Sequence, residues 1–274
     1  TPFEVSWSPA YRSLRRYDFA WRAVQKALIQ EADCAYTWVP QAAVIALLRN
    51  LPVLYELHAP PEGRFGPYLF HQYLQLSGKK RLLAISQALV DILKRDYSVN
   101  FSSTELVITP NGVDIERYQA LPNPSEARLL LGLPECQTVS YTGHFYAGRG
   151  MDLLVELAKY FPHVQFLWVG GRPADVEMWR SRLQQQEIVN IIQTGFVENN
   201  RLPLYQAAAE VLLMPYEQVI TGSSGGNSSE YCSPMKMFEY MACGRAIISS
   251  DLPVIREVLN ESNSTLLPPD DILA

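Results

Sequence analysis

The stretch Thr138-Val-Ser-Tyr-Thr-Gly143-His-Phe-Tyr-Ala-Gly148-Arg149-Gly150-Met-Asp-Leu-Leu-Val-Glu-Leu-Ala-Lys-Tyr160-Phe-Pro-His-Val164-Gln-Phe-Leu-Trp-Val169 decides how this chain folds. Residues 138–142 and 164–169 are apolar runs of strand length, and between them Leu153, Leu154 and Leu157 form a stripe at helical spacing across 151–160. That is a strand–helix–strand unit. Further strand-length runs follow at 190–194, 211–214, 246–249 and 265–267. A second helical stretch, 174–186, carries Val176, Trp179 and Leu183 at steps of three and four. Strands alternating with helices at this spacing predict a parallel sheet covered on both faces, an α/β fold.

The same alternation extends toward the N-terminus, more thinly. Strand candidates are 34–39, 53–57, 82–85 and 106–109, with helices at about 41–49, 66–76 and 86–97. Two Rossmann-like units are therefore expected: residues 1–118, incomplete and on the acceptor side, and residues 119–274. The boundary is placed near Tyr118, before the linker Leu121-Pro-Asn-Pro-Ser-Glu126. The chain starts at Thr1 and ends Pro268-Pro-Asp-Asp-Ile-Leu-Ala274, a helix cap with little helix behind it. A piece of a longer protein is expected, with strands upstream of Thr1. Ligands of such sheets bind where the loops gather at the carboxyl ends of the strands.

Composition narrows the function. Lys and Arg number 23 and Asp and Glu 28 among 274 residues, a formal net charge of −5. A general nucleic-acid binder carries a basic excess instead. A membrane span needs about 20 apolar residues, whereas the longest purely apolar run, 42–48, has seven. The first residues do not read as a signal peptide. The four cysteines, Cys34, Cys136, Cys232 and Cys243, are scattered without a Cys-x-x-Cys pair. This argues against a zinc or thioredoxin motif and suits a reducing, cytoplasmic setting. The helix expected near 11–30 has a stripe of Leu14, Tyr17, Trp21, Val24 and Leu28 beside Arg12, Arg15, Arg16, Arg22 and Lys26. Such a stripe is core, or it rests on an anionic membrane as a peripheral contact.

Three motifs nearly match known chemistry. Gly143-His-Phe-Tyr-Ala-Gly148 begins like a P-loop, but Arg149 and Gly150 stand where Lys and the magnesium-holding Ser or Thr belong. Gly222-Ser-Ser224-Gly-Gly226 fits Gly-x-Ser-x-Gly, yet the strand before a nucleophile elbow is poor. Moreover, His58, His71, His144 and His163 all precede it. The stretch is read as a flexible loop near a ligand, or as a linker. No Gly-x-Gly-x-x-Gly follows a strand, and no Asp-x-Asp occurs; Asp114-Ile-Glu116 in a turn is the nearest approach. No resident cofactor or metal is expected.

The segment richest in chemistry is Ser233-Pro-Met-Lys236-Met-Phe-Glu239-Tyr-Met-Ala-Cys-Gly244. Ser233 suits an N-cap, Pro234 the first helical position and Gly244 the stop. Lys236 in the first turn is disfavoured by the helix dipole by roughly 0.3–1 kcal/mol, unless an anion sits nearby. A helix N-terminus, a serine hydroxyl and a lysine together suit a diphosphate, and Glu239 one turn later suits a pair of ribose hydroxyls. The same residues also read as an ordinary capped helix with a solvated Lys and Glu.

Taken in order, several stretches resemble retaining glycosyltransferases of the GT-B fold, in the large family 4 group. They are Tyr55-Glu-Leu-His58, Ala84-Ile-Ser86, Ile108-Thr-Pro-Asn111-Gly112-Val-Asp114, and Tyr141-Thr-Gly143 through Arg149-Gly150. Phe166-Leu-Trp-Val-Gly170-Gly171, Gly195-Phe196-Val197 and Met214-Pro215 extend the match, which runs from about Ala35 to Pro269. The family also has a first strand and glycine loop upstream and closing helices downstream.

The resemblance implies roles. Arg149 matches the base that holds the donor diphosphate, beside Gly143 and Gly150. His144 stands where the family often has a second Arg. Ser233, Met235, Lys236 and Met237 fall on the helix start that cradles phosphate and ribose, and Glu239 matches the ribose carboxylate. Gly195, Phe196 and Val197 lie where the nucleobase meets backbone. His58 matches a histidine near the donor sugar, so that His58, Arg149 and Lys236 form the expected catalytic set. The family's first carboxylate would fall on Tyr231, with Glu230 one residue off, which leaves donor-sugar contacts to either residue. The implied activity is metal-independent transfer from a UDP- or GDP-linked nucleotide-diphosphate sugar to a sugar, lipid or small-molecule acceptor, with no nucleic acid involved. A nucleotide-sugar epimerase or hydrolase of the same fold, or a non-catalytic nucleotide-sugar-binding protein, are the alternatives.

Overall fold

A computed structural model describes residues 14–221, 227–269 and 271. The glycine-rich stretch 222–226, the expected helix start at 11–13 with Arg12, and tail residues 270 and 272–274 lie outside the described residues. The chain divides into two compact units, up to Pro110 and from Asn111 onward.

The first unit runs α1 (Arg15–Ile29), β1 (Ala35–Thr37), α2 (Pro40–Leu48), β2 (Val53–Leu57), α3 (Gly66–Gln75), β3 (Lys80–Ala84), α4 (Gln87–Tyr97) and β4 (Leu106–Ile108). Its four strands are parallel in the order β1-β2-β3-β4. In β2, Val53, Tyr55 and Leu57 are buried while Leu54 and Glu56 are half-buried, the period-two pattern of a sheet with one well-packed face. The apolar run 42–48 forms most of α2, which buries nearly its whole circumference. Ser86 caps α4 by accepting the Leu89 N–H at 3.0 Å. α1 departs from its expected core stripe. Val24 is buried, but Leu14 is 55% and Trp21 47% exposed. The helix instead turns Ala20 inward beside Val24.

The second unit contains a 3₁₀ turn (Ile115–Tyr118), α5 (Pro124–Leu131), β5 (Thr138–Gly143), α6 (Met151–Tyr160), β6 (Gln165–Gly170), α7 (Pro173–Gln185) and β7 (Ile191–Gly195). It continues through α8 (Leu202–Ala207), β8 (Val211–Met214), α9 (Met235–Cys243), β9 (Ala246–Ser250), α10 (Pro253–Arg256) and β10 (Thr265–Leu267). All six strands are parallel, in the order β10-β9-β8-β5-β6-β7. The order is that of a doubly wound Rossmann-type sheet, and its direction reverses between β5 and β8. The core between sheet and helices holds Tyr141, Phe145, Leu154, Trp168, Trp179 and Leu183.

One expectation shifts. The division falls after Pro110 and not near Tyr118, because the intervening segment is tied into the second unit. Asn111 bonds to Ser233, and the Tyr118 hydroxyl donates to Gln206 Oε1 at 3.0 Å. In α6 the fully buried side chains are Met151, Leu154, Val155 and Ala158. Leu153 and Leu157 are half-buried, because they line an apolar cavity of about 510 Å³ with Phe166, Leu213 and Ile248.

Candidate functional site

The strand order reverses between β5 and β8, and a sheet of this order binds ligands at the carboxyl ends beside such a reversal. Three segments meet there: the loop 143–150 after β5, the segment starting at Pro215 after β8, and the first turn of α9.

The first two are zipped together. Glu217 N–H donates to Gly148 O at 3.2 Å, Thr221 N–H to Ala147 O at 3.3 Å, and Gly150 N–H to Glu217 Oε1 at 3.3 Å. A Cβ at Gly148 would stand 2.1 Å from Val219 O, and one at Gly150 would stand 1.8 Å from Pro215 O. Both residues also have positive φ, 83° and 71°. Steric closeness between two loops therefore demands these glycines, in addition to any role beside a phosphate.

α9 is anchored by its buried Tyr240. The hydroxyl accepts Thr142 N–H at 3.0 Å and donates to Leu213 O at 3.3 Å, bridging the ends of β5 and β8. That fixes the position of Lys236 one turn earlier. Its Nζ lies 3.9 Å from the Tyr141 ring centroid and 5.1 Å from that of Tyr216. The missing side chain of Gly143 gives it room, since a Cβ there would stand 3.1 Å from Nζ, tighter than ordinary contact. The Arg149 guanidinium stacks on the Tyr216 ring at 4.8 Å. Two aromatic faces thus hold two cations side by side. Neither forms a salt bridge with any described residue.

The electrostatics follow from this crowding. Burial, and then the Arg149 charge, push the Lys236 ammonium well below its ordinary range, with Glu239 pulling the other way. Burial pushes the Tyr216 hydroxyl up to about 12 and the Cys232 thiol up to about 11, each against the pull of Arg149. His144 stacks on Tyr146 at 4.6 Å and 10°, and Arg172 covers the Tyr146 ring at 4.9 Å. Burial, Arg149, Arg172 and Lys236 all lower the His144 pKa, and Asp175 opposes them.

Glu239 is positioned by a chain of buried amide and hydroxyl groups. Gln206, fully buried, donates through Nε2 to Glu239 Oε2 at 3.2 Å and Thr142 Oγ1 at 3.3 Å, while its Oε1 accepts from Tyr118. Glu239 Oε1 accepts no hydrogen bond from the described residues.

Ser233 behaves differently from expectation. Pro234 is the N-cap of α9, without a side-chain capping bond. The Ser233 hydroxyl is taken by Asn111, whose backbone N–H donates to it at 3.1 Å and whose Nδ2 donates to Ser233 O. The Pro-Asn-Gly turn therefore uses the serine that local patterning assigned to the helix. Met235 is exposed and Met237 buried, so the former faces outward at the helix start while the latter packs the core.

Gly195 ends β7, with φ 70° and open space around it, and Phe196 is 80% exposed. Val197 follows, half-buried, at the same carboxyl edge but beyond β6. Glu230 is exposed in a turn that continues into Tyr231, whose N–H donates to Ser228 O at 3.2 Å. His58 belongs to the first unit, where its Nε2 is 3.4 Å from Glu56 Oε1. Among the described residues no three His, Cys, Asp or Glu side chains gather as metal ligands would. Sequence reasoning gave no role to Tyr141, Tyr216 and Gln206. Tyr141 lies within β5 and opens one of the matching stretches, and Tyr216 directly follows another, which was the available signal; Gln206 left none.

Residues 136–274 match the family model described as Glycosyl transferases group 1. The chain is 27% identical over 143 residues to a putative teichuronic acid biosynthesis glycosyltransferase, TuaH, of Bacillus subtilis (strain 168), covering 52% of this chain and 34% of that protein. It is 29% identical over 195 residues to a phosphatidyl-myo-inositol mannosyltransferase of Mycolicibacterium smegmatis, covering 68% of this chain and 45% of that protein. The chain thus spans 34% and 45% of the length of these curated relatives. Among solved structures, Anabaena HepE in complex with UDP superposes with a TM-score of 0.70 at 19% identity, over 96% of this chain and 71% of that one. At that identity the likeness is one of fold, the parallel α/β architecture of GT-B glycosyltransferases.

Proposed function

The chain belongs to the glycosyl transferases group 1 family, and from that premise we propose that it is part of a retaining glycosyltransferase using a nucleotide-diphosphate sugar. The observation that carries the proposal is the pair Lys236 and Arg149, two cations without a carboxylate partner among the described residues, held on Tyr141 and Tyr216 at the sheet's reversal. Two unpaired cations in a half-buried crevice suit a dianionic ligand, and a diphosphate fits that description.

In the proposed reaction the bond between the sugar C1 and the diphosphate oxygen breaks, and its electron pair goes to the diphosphate. An acceptor hydroxyl oxygen forms the new bond to C1 on the same face, and its proton passes to the departing phosphate oxygen. Charge-assisted hydrogen bonds are worth about 1.5–3 kcal/mol each. Aimed at the charge that grows on the leaving group, they lower the barrier without a metal. Glu239, with Oε1 free of described partners, is assigned to the ribose hydroxyls, and Gly195–Val197 to the base. Gly143, Gly150 and His144 are assigned to the diphosphate, His58 to the transferred sugar, and Glu230 or Tyr231 to its hydroxyls. The UDP complex of the Anabaena neighbour supports a uridine donor. No helix among the described residues is long and apolar enough to cross a membrane. The exposed Leu14 and Trp21 beside Arg16 and Lys26 on α1 support peripheral contact with one.

Calorimetry of the chain with UDP and GDP tests donor binding, and transfer from a radiolabelled UDP-sugar by the full-length protein tests activity. Binding without transfer across a broad acceptor screen would leave the non-catalytic alternative standing. Hydrolysis or epimerisation without an acceptor would favour the other.

A further inference from the structure

The loop after β6 is pinned against the loop after β5. Gly171 N–H donates to Gly143 O at 3.0 Å. A Cβ at Gly170 would stand 2.4 Å from Gly143 O, and one at Gly171 would stand 2.6 Å from the Phe145 ring. This close contact sets the next residue, Arg172, the N-cap of α7, beside the loop that faces Lys236. The Arg172 guanidinium lies over the Tyr146 ring at 4.9 Å, and Tyr146 in turn stacks on His144 at 4.6 Å.

The guanidinium is lightly held there. It donates to the Asp175 carboxylate at 2.8 and 3.0 Å, and its side chain is 59% exposed. An ion pair this open to water holds its members weakly. The carboxylate also takes a backbone hydrogen bond at Arg172, so it keeps a partner when the guanidinium turns away. The long arginine side chain has the rotamer freedom to do so.

The chemistry leaves a charge to be met. Arg149 and Lys236 match the two negative charges of an intact nucleotide-diphosphate sugar. When the bond from C1 to the diphosphate oxygen breaks, its electron pair stays on that oxygen. A third negative charge grows there until the acceptor proton arrives. His144 supplies no cation for it near neutral pH. Burial, followed by Arg149, Arg172 and Lys236, holds the imidazole below its ordinary value of 6.5.

We infer that Arg172 turns from Tyr146 to the outer phosphate of the nucleoside diphosphate, and that it binds the charge of the leaving group more strongly than that of the intact donor. A guanidinium suits this task, since its planar fork pairs with two phosphate oxygens at once. The inference rests on the donor reading and adds to it a residue that discriminates between the two charge states.

The test is calorimetry of the full chain at pH 8 with UDP and with UDP-glucose. At that pH free UDP carries about three negative charges and UDP-glucose about two. Arg172→Gln should lower UDP affinity about fivefold or more, and UDP-glucose affinity only about twofold or less, from the loss of a charge-assisted bond. His144→Arg in the Arg172→Gln background should restore UDP affinity, because a cation returns to the same pair of loops. A purely structural role for Arg172 would move both ligands alike and would not be repaired at position 144. Arg172 is exposed, so its replacement empties no core, and a thermal melt checks the fold of each variant. Unchanged UDP affinity in Arg172→Gln overturns the inference, as does an equal loss for the two ligands. A parent that fails to bind UDP overturns the donor reading with it. UDP binding that depends on Lys236 and not on Arg172 overturns this inference alone.

Discussion

The Lys236 ammonium nitrogen stands 3.9 Å from the centroid of the Tyr141 ring, at the end of β5. This cation–π contact keeps a charge in a half-buried crevice where burial and Arg149 both oppose it. The site is therefore strained toward an anion before one arrives.

Lys236→Met is expected to lower UDP affinity about tenfold or more, from the loss of a charge-assisted bond worth roughly 1.5–3 kcal/mol. The ligand-free variant should be as stable as the parent at pH 7, or more so, in urea unfolding. The folded-state pKa of Lys236 is depressed, so the unfolded chain binds more protons between that value and the ordinary 10.5. Its cost to the folded state is therefore fully present below that window and is relieved as pH rises through it. The rise in stability as pH climbs toward 10.5 should be smaller in Lys236→Met than in the parent; if the two profiles rise alike, the ammonium is not the strained group.

His144 is held below its ordinary value of 6.5 by burial and by Arg149, Arg172 and Lys236, against Asp175. The free protein thus carries a neutral imidazole near pH 7. A bound diphosphate offsets the three cations and raises that pKa. Donor affinity should increase as pH falls from the bound-state pKa toward the free-state one, with proton uptake on binding. UDP-glucose is the suitable probe, because its diphosphate lacks the terminal ionisation that free UDP has near pH 6. Calorimetry in buffers of different ionisation heat should show the uptake, and His144→Gln should remove it. His144→Arg should tighten binding several-fold and abolish the pH dependence.

Glu239 tests the ribose assignment. The ratio of affinities for UDP and 2′-deoxy-UDP should fall toward one in Glu239→Ala. Gln206→Ala should reduce the same ratio in part, because Gln206 orients the carboxylate at 3.2 Å. It should also cost about 1–3 kcal/mol of stability, since the buried Tyr118 hydroxyl loses its acceptor. An unchanged ratio in both variants would remove Glu239 from the nucleotide site.

Glycines separate loop closure from helix capping. At Gly148 and Gly150 an added Cβ meets backbone at 2.1 and 1.8 Å on top of a positive φ. Alanine at either should cost about 3 kcal/mol or more, from left-handed strain plus overpacking. Gly132 and Gly244 have similar φ, 66° and 67°, but open space. Alanine there should cost only about 1–2 kcal/mol. Equal costs at all four positions in urea unfolding would contradict the tight loop contact.

Much of this was legible from local pattern, because strand and helix periods are properties of neighbouring residues. The alternation from Thr138 onward, the α7 stripe of Val176, Trp179 and Leu183, and a helix ending at Gly244 all stand in the structure. Where local signals competed with distant ones, they misled. Ser233 has the character of an N-cap, yet Asn111, remote in sequence, takes its hydroxyl.

The sequence by itself determined the parallel α/β architecture, the order of the elements and the identity of the cations Arg149 and Lys236. Tertiary structure alone decided that these cations meet, that Tyr141 and Tyr216 hold them, and that Gln206 aims Glu239. The reason is physical. Periodicity reports which side of an element is apolar, whereas the strand order that puts β5 beside β8 is fixed only when the whole sheet packs.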